Sequence, residues 1–508
     1  MFTGKLHEYQ KEPVETFLRR KNLLVAYEMG LGKTVIGLAA AERLLSSGDI
    51  KRCLIVCPAS IKFQWAERIG QFTNRKPLVI DGSKSRRLEQ YRTAGAYVII
   101  GYDNVTLDAA QVSKLNAGMV VLDEATAIKS FKAQRTKQIK KLLRVPYRLA
   151  LTGTPIENRP DEVFSIMQWV EPAVLGRYDL FEKAYIRRNK YGWVIAYQNL
   201  PILQKRLLPA MSRKSRLDDL VRPFLPEVDA DEWYAQPTPE LENIYKTVAL
   251  PMLDEMNQSS LFSDFNMHDY YGGYGDEGSA GKLMGMYTVL EMLLDHPDLV
   301  INSAKLYDSD RPEGSKFAYE LWQSGALDSV VTSPKLELLE DKVGSILEFP
   351  KNKILIFSQY KYMLNLIEDA LGIECVKFHG GMSATAKASA VAEFNSRSSC
   401  RVFLSSHAGA YGMDMSRANY LINYDLPWSA GKADQINGRH VRASSDFGNV
   451  FIRNILTRNT IEERKFRFLG RKRAIAAQAL DGDESGDVKL EGDSLRSHLT
   501  DVLRSGIL

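Results

Sequence analysis

The 508-residue chain has few cysteines, no long apolar run and no strong excess of either charge. Its four cysteines, Cys53, Cys57, Cys375 and Cys400, form no Cys-x-x-Cys pair, so the sequence predicts neither a zinc site nor a disulfide framework. No apolar run approaches the length that spans a bilayer, and the first residues lack the apolar segment of a secretory signal. We therefore expect no membrane association, and a location in the cytoplasm of a bacterium or viral host, or in the nucleus of a eukaryote.

The composition is that of an ordinary globular protein, with 45% hydrophobic and 25% charged residues. A chain of this length is too long to fold around a single hydrophobic core, so two or more domains are expected. The 67 basic and 62 acidic residues leave a net charge of +5. This charge permits a local basic track for phosphates but does not by itself indicate a nucleic-acid partner.

Short apolar runs alternate with polar, helix-like stretches in both halves of the chain, which predicts parallel sheets covered by helices. The runs lie at residues 23–26, 53–56, 97–100, 119–122 and 147–151, and again at 353–357, 376–378, 402–405, 420–424 and 449–455. We predict an α/β fold of two lobes, with the first at 1–230, a helical or flexible insertion at 231–334, the second lobe at 335–470 and a charged tail at 471–508.

Several conspicuous features are interpreted as structural. The stretch 259–281 is rich in Ser, Gly, Tyr and Asp, and we read it as a loop, although its tyrosines could stack on single strands. The basic run 464–473 is read as the solvated face of a terminal helix rather than a nuclear signal or DNA patch. Trp65, Trp169 and Trp428 are read as packing residues.

Residues 23–40 have the order of parts that a phosphate site needs, namely an apolar strand, a glycine turn, Lys-Thr and a helix. Glycines let backbone N–H groups close around anionic oxygens, and the helix start adds partial positive charge. We predict a phosphate-binding turn followed by Lys33, which would reach the β- and γ-phosphates, and Thr34, which would ligate magnesium. The predicted turn consists of Met29, Gly30, Leu31 and Gly32. The strict pattern has glycine at position 27, where this chain has Tyr27.

An apolar run at 119–122 ends in the acidic pair Asp123-Glu124. Because ligands bind at the carboxyl ends of strands in open α/β sheets, the pair is predicted to face the phosphate turn. Asp123 would hold magnesium together with Thr34, and Glu124 would polarise the attacking water.

Taken together, these segments resemble the Swi/Snf family of superfamily-two helicase-like ATPases. Ordered matches run from about residue 5 to 465 and include YEMGLGKT (27–34), CPASIKFQWAERI (57–69), TGTPIENRPDEVFSIMQWVEP (152–172), MSRKSRLDDLVRPFLP (211–226), LEMLLDHP (290–297), ILIFSQY (354–360), VKFHGGMS (376–383) and the stretch 405–442. The resemblance implies two RecA-like lobes, ATP and Mg²⁺ as cofactors, and a DNA-dependent ATPase. Three positions depart from the family pattern, namely Tyr27, Thr126 and Ser445.

By this resemblance, Gln10 would contact adenine and Asp414 would lie near the ribose. Gln435, Arg439 and Arg442 would complete the catalytic site from the second lobe, where permanently charged guanidinium groups suit the charge that develops on a γ-phosphate.

Further residues lie in segments that, in the family, line the cleft opposite the nucleotide. Any single Ser or Thr is more often a helix cap or a loop bond, but the set favours contact with nucleic-acid phosphates. The predicted contacts are Ser60, Lys62, Tyr102, Thr152, Ser358, Gln359, His379, Gly380 and Ser405.

The leading hypothesis is a DNA-stimulated ATPase that translocates along double-stranded DNA and remodels or displaces bound complexes. A strand-separating DNA or RNA helicase is one alternative, and a nucleotide-gated binding module without effective hydrolysis is another. We expect a monomer that uses a protein partner for targeting. The nearly all-motor build favours a bacterial, viral or mobile-element source.

Overall fold

The computed structural model describes residues 2–190, 192, 194–258, 279–330, 332–407, 415–442, 445–482 and 488–489. The chain divides into two compact units. The first unit comprises Met1–Arg187, Tyr197–Leu225 and Arg473–Val488, and the second is built mainly from Pro226–Lys472. None of the described helices is both long and apolar enough to cross a membrane.

The first unit is built on a seven-stranded sheet in which all neighbours are parallel. Its strand order is β3-β4-β2-β5-β6-β1-β9. The central strands are buried on both faces, which explains why they are continuous apolar runs in the sequence. The strands are β1 Asn22–Tyr27, β2 Cys53–Cys57, β3 Pro77–Val79, β4 Tyr97–Gly101, β5 Met119–Asp123, β6 Tyr147–Leu151 and β9 Met211–Lys214.

Helices connect these strands, as parallel neighbours require. They are α1 Glu8–Arg20, α2 Lys33–Ser47, α3 Lys62–Phe72, α4 Lys84–Arg92, α5 Tyr102–Leu107, α6 Ala109–Lys114, α7 Gln134–Lys140, α8 Asp161–Val170, α9 Tyr178–Tyr185 and α10 Leu200–Leu207. Two short strands, β7 Ile186–Arg188 and β8 Val194–Tyr197, lie between α9 and α10.

The second unit is built on a six-stranded parallel sheet in the order β10-β15-β14-β11-β13-β12. Its strands are β10 Glu227–Ala235, β11 Ile354–Ser358, β12 Cys375–Phe378, β13 Val402–Ser406, β14 Tyr420–Asn423 and β15 Asn449–Thr457. Its helices are α11 Pro239–Gln258, α12 Ser279–Asp295, α13 Pro297–Asp308, α14 Lys316–Gln323, α15 Pro334–Leu347, α16 Lys361–Leu371, α17 Ala384–Ser396, α18 Ala430–Asn437 and the first part of α19 Ile461–Asp481, whose residues from Arg473 onward belong to the first unit. A last strand, β16 Val488–Lys489, follows. The predicted parallel sheets covered by helices are confirmed in both units.

The predicted insertion at 231–334 is largely helical and belongs to the second unit. Helices α11 to α14 share a hydrophobic core that includes Val248, Tyr287 and Val300, together with Ile461 and Phe468 of the last helix. The boundary predicted at residue 230 falls inside β10, which runs from Glu227 to Ala235. This strand pairs along its whole length with β15 and so belongs to the second sheet. Most of the Ser/Gly/Tyr/Asp-rich stretch, residues 259–278, lies outside the described residues.

The basic run 464–473 is only partly solvated, so the interpretation as a solvated face was wrong for two of its lysines. Lys465 is buried and forms an ion pair with Glu291 at 2.5 Å, and buried Lys472 donates to the carbonyl of Trp428 at 2.9 Å. The predicted tail also begins inside a helix, since α19 continues to Asp481 and buries Ile475. Composition could not show these contacts, because the partners of both lysines come from distant parts of the chain.

Candidate nucleotide site

The turn between β1 and α2 contains two glycines in left-handed backbone conformations. Gly30 and Gly32 have φ values of +85° and +74°. Residues that carry a side chain rarely adopt this region of backbone conformation. Gly32 immediately precedes the first residue of α2, Lys33, so the turn leads directly into a helix N-terminus, the end of a helix at which backbone N–H groups bind anions. The predicted phosphate turn is therefore a left-handed glycine turn at a helix N-terminus.

Lys33 lies across its own loop. Its Nζ donates to the carbonyl oxygens of Tyr27 at 2.8 Å and Glu28 at 3.1 Å. The loop that follows β6 approaches it closely, because a Cβ built on Gly153 would lie 3.4 Å from Lys33 Nζ and 3.1 Å from Met29 Cγ. The TGT segment and the phosphate turn thus meet at the carboxyl ends of neighbouring strands.

Gln10 of α1 is packed against the same turn. Its Nε2 donates to the carbonyl of Leu31 at 3.1 Å, and its Oε1 accepts from the backbone N–H of His7 at 3.0 Å. Tyr27, which departs from the family pattern, is fully buried and its hydroxyl donates to the carbonyl of Tyr9 at 2.7 Å. The end of β1 is therefore tied to α1 beside Gln10, and the contact of Gln10 with adenine stays a prediction.

Two arginines to which sequence reasoning gave no role support the turn from β9 and the residues after it. Arg213 donates to the Glu28 carboxylate at 3.1 Å, and the backbone N–H of Arg216 donates to the same carboxylate at 2.9 Å. The Arg216 guanidinium also donates to the carbonyl of Met29 at 3.3 Å. The available signal was their place in the family-like segment 211–226.

The acidic pair ends β5, two strands from β1 in the sheet. Asp123 is buried, and its Oδ2 accepts from the indole Nε1 of Trp65 at 2.7 Å while its Oδ1 accepts from the backbone N–H of Glu124 at 3.0 Å. Burial raises the pKa of Asp123, and the Trp65 bond and the charge of Lys33 oppose that rise. Glu124 has φ +51°, an uncommon value for a residue with a side chain.

The donor set fits a magnesium ion. Mg²⁺ prefers carboxylate and hydroxyl oxygens and is held in phosphate sites by few protein ligands. Asp123 presents a carboxylate at the carboxyl edge of the sheet, and Thr34, half-buried at the start of α2, presents a hydroxyl. The roles of both as metal ligands stay predictions.

The predicted second-lobe residues lie on and just after α18 in the second unit. Gln435 is buried on the helix, Arg439 is buried two residues beyond its end, and Arg442 is half-buried. Arg442 Nε donates to the carbonyl of Arg439 at 3.3 Å, so the two arginines share one loop. Asp414 lies outside the described residues.

The other two departures from the family pattern, Thr126 and Ser445, form backbone hydrogen bonds within their own loops. Thr126, which follows the acidic pair, is buried, and its carbonyl accepts from the backbone N–H of Lys129 at 3.0 Å. Ser445 follows the arginine loop, and its backbone N–H donates to the carbonyl of Arg442 at 3.0 Å.

Five of the predicted nucleic-acid contacts are buried and bonded inside the protein. In the first unit, Lys62 pairs with Asp81 at 2.5 Å, the Tyr102 hydroxyl donates to the carbonyl of Asp123 at 2.8 Å, and Thr152 Oγ1 accepts from the backbone N–H of Thr154 at 3.2 Å. In the second unit, Ser358 donates to the Asp425 carboxylate and Ser405 donates to the carbonyl of Ser406 at 3.1 Å. These side chains would have to exchange partners to grip a phosphate, so their contact with nucleic acid stays a prediction.

The remaining four lie nearer to solvent. Ser60 and Gly380 are exposed, and Gln359 and His379 are half-buried. Burial lowers the pKa of the His379 imidazole, and the charges of Lys361, Lys387 and Lys377 lower it further. Gly380 accepts a hydrogen bond from Lys387 Nζ at 3.2 Å. His379 and Gly380 therefore lie among lysines, as a phosphate-binding surface requires.

Comparison with known protein families identifies both halves of the chain. Residues 9–299 match the SNF2-related domain, and residues 334–444 match the helicase conserved C-terminal domain. The chain belongs to the SNF2-related family. As a SNF2-related member of helicase superfamily two, it is a helicase-like ATPase at the level of the family, and the predicted resemblance is confirmed.

Relatives of this SNF2-related chain include large DNA-associated proteins. It is 24% identical over 503 residues to the DNA repair and recombination protein RAD54 of Saccharomyces cerevisiae, covering 93% of this chain and 55% of the yeast protein. It is 25% identical over 533 residues to the chromodomain-helicase-DNA-binding protein 8 of Danio rerio, covering 99% of this chain and 20% of that protein. The chain thus spans about half or less of the length of these curated relatives.

The fold is also found in a solved structure. The helicase domain of Pyrococcus furiosus Hef matches with a TM-score of 0.55 at 17% identity, covering 91% of this chain and 97% of that domain. The likeness confirms the fold of two tandem RecA-like lobes that the sequence predicts.

Proposed function

We propose that this SNF2-related chain hydrolyses ATP under stimulation by double-stranded DNA and translocates along the duplex, displacing or remodelling complexes bound to it. The observation that carries the proposal is the convergence, in one unit, of the glycine turn with Lys33, the Gly153 loop and the buried Asp123. These are the parts that phosphoryl transfer needs, since such enzymes work mainly by positioning and electrostatic stabilisation.

Each residue of the first unit has one task in this scheme. The backbone N–H groups at the start of α2 bind the phosphates, and Lys33 exchanges its bonds to the Tyr27 and Glu28 carbonyls for bonds to phosphate oxygens. Asp123 and Thr34 would hold a magnesium ion, which would neutralise charge on the phosphates. Glu124, held in its left-handed conformation, orients the attacking water.

The second unit supplies the remaining cations. Arg439 and Arg442, carried on one loop after α18, stabilise the charge that develops on the transferred phosphoryl group, and Gln435 of α18 completes the catalytic set with them.

DNA is the proposed track because the curated relatives carry DNA in their names, and because His379 and Gly380 lie beside Lys361 and Lys387 in the second unit. Backbone and small-group contacts of this kind grip phosphates without reading bases, which suits a moving enzyme. We further propose a monomeric protein of the cytoplasm, or of the nucleus in a eukaryote, that a protein partner directs to its target.

The experiment is a phosphate-release assay on the purified chain with single-stranded DNA, duplex DNA, forks and RNA. Duplex DNA should stimulate turnover most, and Lys33→Ala and Glu124→Gln should abolish turnover while DNA binding persists. Normal turnover in either variant would refute the assigned roles. Triplex displacement without unwinding of a forked duplex supports translocation, whereas robust unwinding supports a strand-separating helicase, and no turnover on any track supports a binding module.

A further inference from the structure

The indole of Trp65 lies between two parts of the nucleotide site. Its Nε1 donates to Asp123 Oδ2 at 2.7 Å, and the side chain is only 2% exposed. Its ring also contacts α2, since a Cβ built on Gly37 would lie 3.4 Å from Trp65 Cη2. Gly37 is one turn from Lys33 on that helix, so a single ring touches both the carboxylate and the helix that begins at the phosphate turn.

The Trp65 bond completes the support of the Asp123 carboxylate. Oδ1 already accepts from the backbone N–H of Glu124, and Oδ2 has the indole N–H. A carboxylate bonded at both oxygens is restricted in rotation. Residues that form hydrogen bonds to a metal ligand, without touching the metal themselves, orient that ligand. Their removal commonly weakens metal binding.

We propose that Trp65 is a positioning residue that orients the Asp123 carboxylate for the magnesium–nucleotide complex, in addition to packing the core. The proposal rests on the proposed function insofar as Asp123 is the metal ligand. Trp65 lies on α3, 58 residues before Asp123, and α3 is itself fixed at its start by buried Lys62, whose Nζ bonds Asp81 and the carbonyl of Ile80. The position of the indole is therefore set by the fold rather than by the carboxylate it supports.

Trp169 provides a matched control in the same unit. It is fully buried on α8, and among the described residues its Nε1 has no hydrogen-bond partner. Trp65→Phe and Trp169→Phe therefore remove similar buried volume, but only the first removes a bond to the nucleotide site. A purely structural tryptophan at position 65 would make the two variants behave alike.

The test measures Mn²⁺ binding by electron paramagnetic resonance, with a non-hydrolysable ATP analogue and without DNA, in the two variants and the parent chain. Trp65→Phe should bind Mn²⁺ about ten- to a hundredfold more weakly, while metal-free binding of the analogue stays unchanged. Trp169→Phe should bind Mn²⁺ as the parent chain does. Equal Mn²⁺ affinity in both variants, whether weakened or not, would overturn the proposal.

A second measurement uses the unaltered chain, so it does not depend on whether a variant at position 65 folds. With the tryptophans of the unaltered chain labelled with ¹⁵N, Mg²⁺ and the analogue together should shift the Trp65 indole resonance more than that of Trp169. Equal shifts would overturn the proposal. The proposed function fails separately: a parent chain that binds Mn²⁺ and analogue but is not stimulated by DNA contradicts translocation and leaves the role of Trp65 standing.

Discussion

The side-chain amide of Gln10 is bonded directly to the phosphate turn, because its Nε2 donates to the carbonyl oxygen of Leu31 over 3.1 Å. The same amide accepts from the backbone N–H of His7, so the start of α1 and the turn are held together by one side chain. This glutamine therefore supports the shape of the turn, whatever it does for adenine.

We expect Gln10→Ala to raise the KM for ATP roughly tenfold, because the loss of one or two buried hydrogen bonds costs about 1–2 kcal/mol. The turn would lose its support from α1, whereas Lys33 and the acidic pair would be unaltered, so kcat should change less. Steady-state kinetics with DNA present measures both. Gln71→Ala, at an exposed position whose side-chain oxygen accepts from Arg68 of the same helix, is the control and should leave KM unchanged. An unchanged KM in Gln10→Ala would contradict this role.

Gly32 precedes helix α2 and Gly48 follows it, and their φ values are +74° and +82°. A Cβ at Gly32 would lie 2.4 Å from Gln10 Nε2, whereas a Cβ at Gly48 meets nothing within 4 Å. Gly48→Ala should cost only the backbone strain of about 1 kcal/mol and retain ATP turnover. Gly32→Ala should lose most ATP binding, as measured by titration with a fluorescent ATP analogue. Equal binding by the two variants would show that the turn tolerates displacement of Gln10.

Lys335 is fully buried in the second unit and pairs with Asp295 at 2.7 Å and also with Glu462. Burial disfavours its charge, but the two carboxylates outweigh burial and raise its pKa. Lys335→Met should lower the free energy of unfolding by about 3–5 kcal/mol, since it leaves buried carboxylates without their cation. Urea unfolding followed by circular dichroism measures this loss. Lys316→Met, which removes an exposed partner of Glu320, should change it by less than about 1 kcal/mol.

The loss in Lys335→Met should also depend on pH. Burial raises the pKa of Asp295 well above its ordinary value, and removal of the lysine raises it further. A carboxyl whose folded pKa exceeds its unfolded pKa stabilises the fold when protonated, and this contribution is lost as pH rises through the folded pKa. The deficit relative to the parent chain should therefore be larger at pH 8 than at pH 5. A deficit that is equal at both values would contradict the assignment.

All four thiols should react slowly in the native protein. Burial raises the pKa of Cys53, Cys57 and Cys400, and burial followed by the nearby Glu368 raises the pKa of half-buried Cys375 to about 12. Because the thiolate is the reactive form, alkylation by iodoacetamide at pH 8 should be much slower than in urea. Mass spectrometry of timed samples measures it, and Cys375 should react first. Rapid native alkylation of Cys53 or Cys57 would show that the first sheet opens.

Much of the fold could be predicted because its signals are local. A parallel strand buried on both faces is a continuous apolar run, and a strand followed by glycines, Lys33 and Thr34 marks a phosphate turn without knowledge of any partner. The domain boundaries could not be predicted from local signals in the same way. The boundary at residue 230 falls within β10, because pairing with β15 more than 200 residues later, and not the sequence of the strand, assigns it to the second sheet.

The candidate site shows the same division. Residue type and position in a motif predicted roles for Lys33, Asp123 and Arg439, but residues that support the candidate site come from distant parts of the chain. Arg216 supports Met29 from 187 residues away, and only the folded chain brings it there. The lysines of the run 464–473 were wrongly predicted to be solvated, because a basic helix is usually exposed. In the structure, Lys465 pairs with Glu291, and Lys472 donates to the carbonyl of Trp428.

By itself, the sequence determined the two α/β lobes and the family, and it predicted the chemical groups of the candidate nucleotide site, because strand periodicity, glycine turns and charged motifs are properties of neighbouring residues. Only the tertiary structure decided which groups support them. Hydrogen bonds such as those of Trp65 to Asp123 and Gln10 to Leu31 depend on distances of a few ångströms between residues far apart in the chain, and spacing along a sequence carries no such distances.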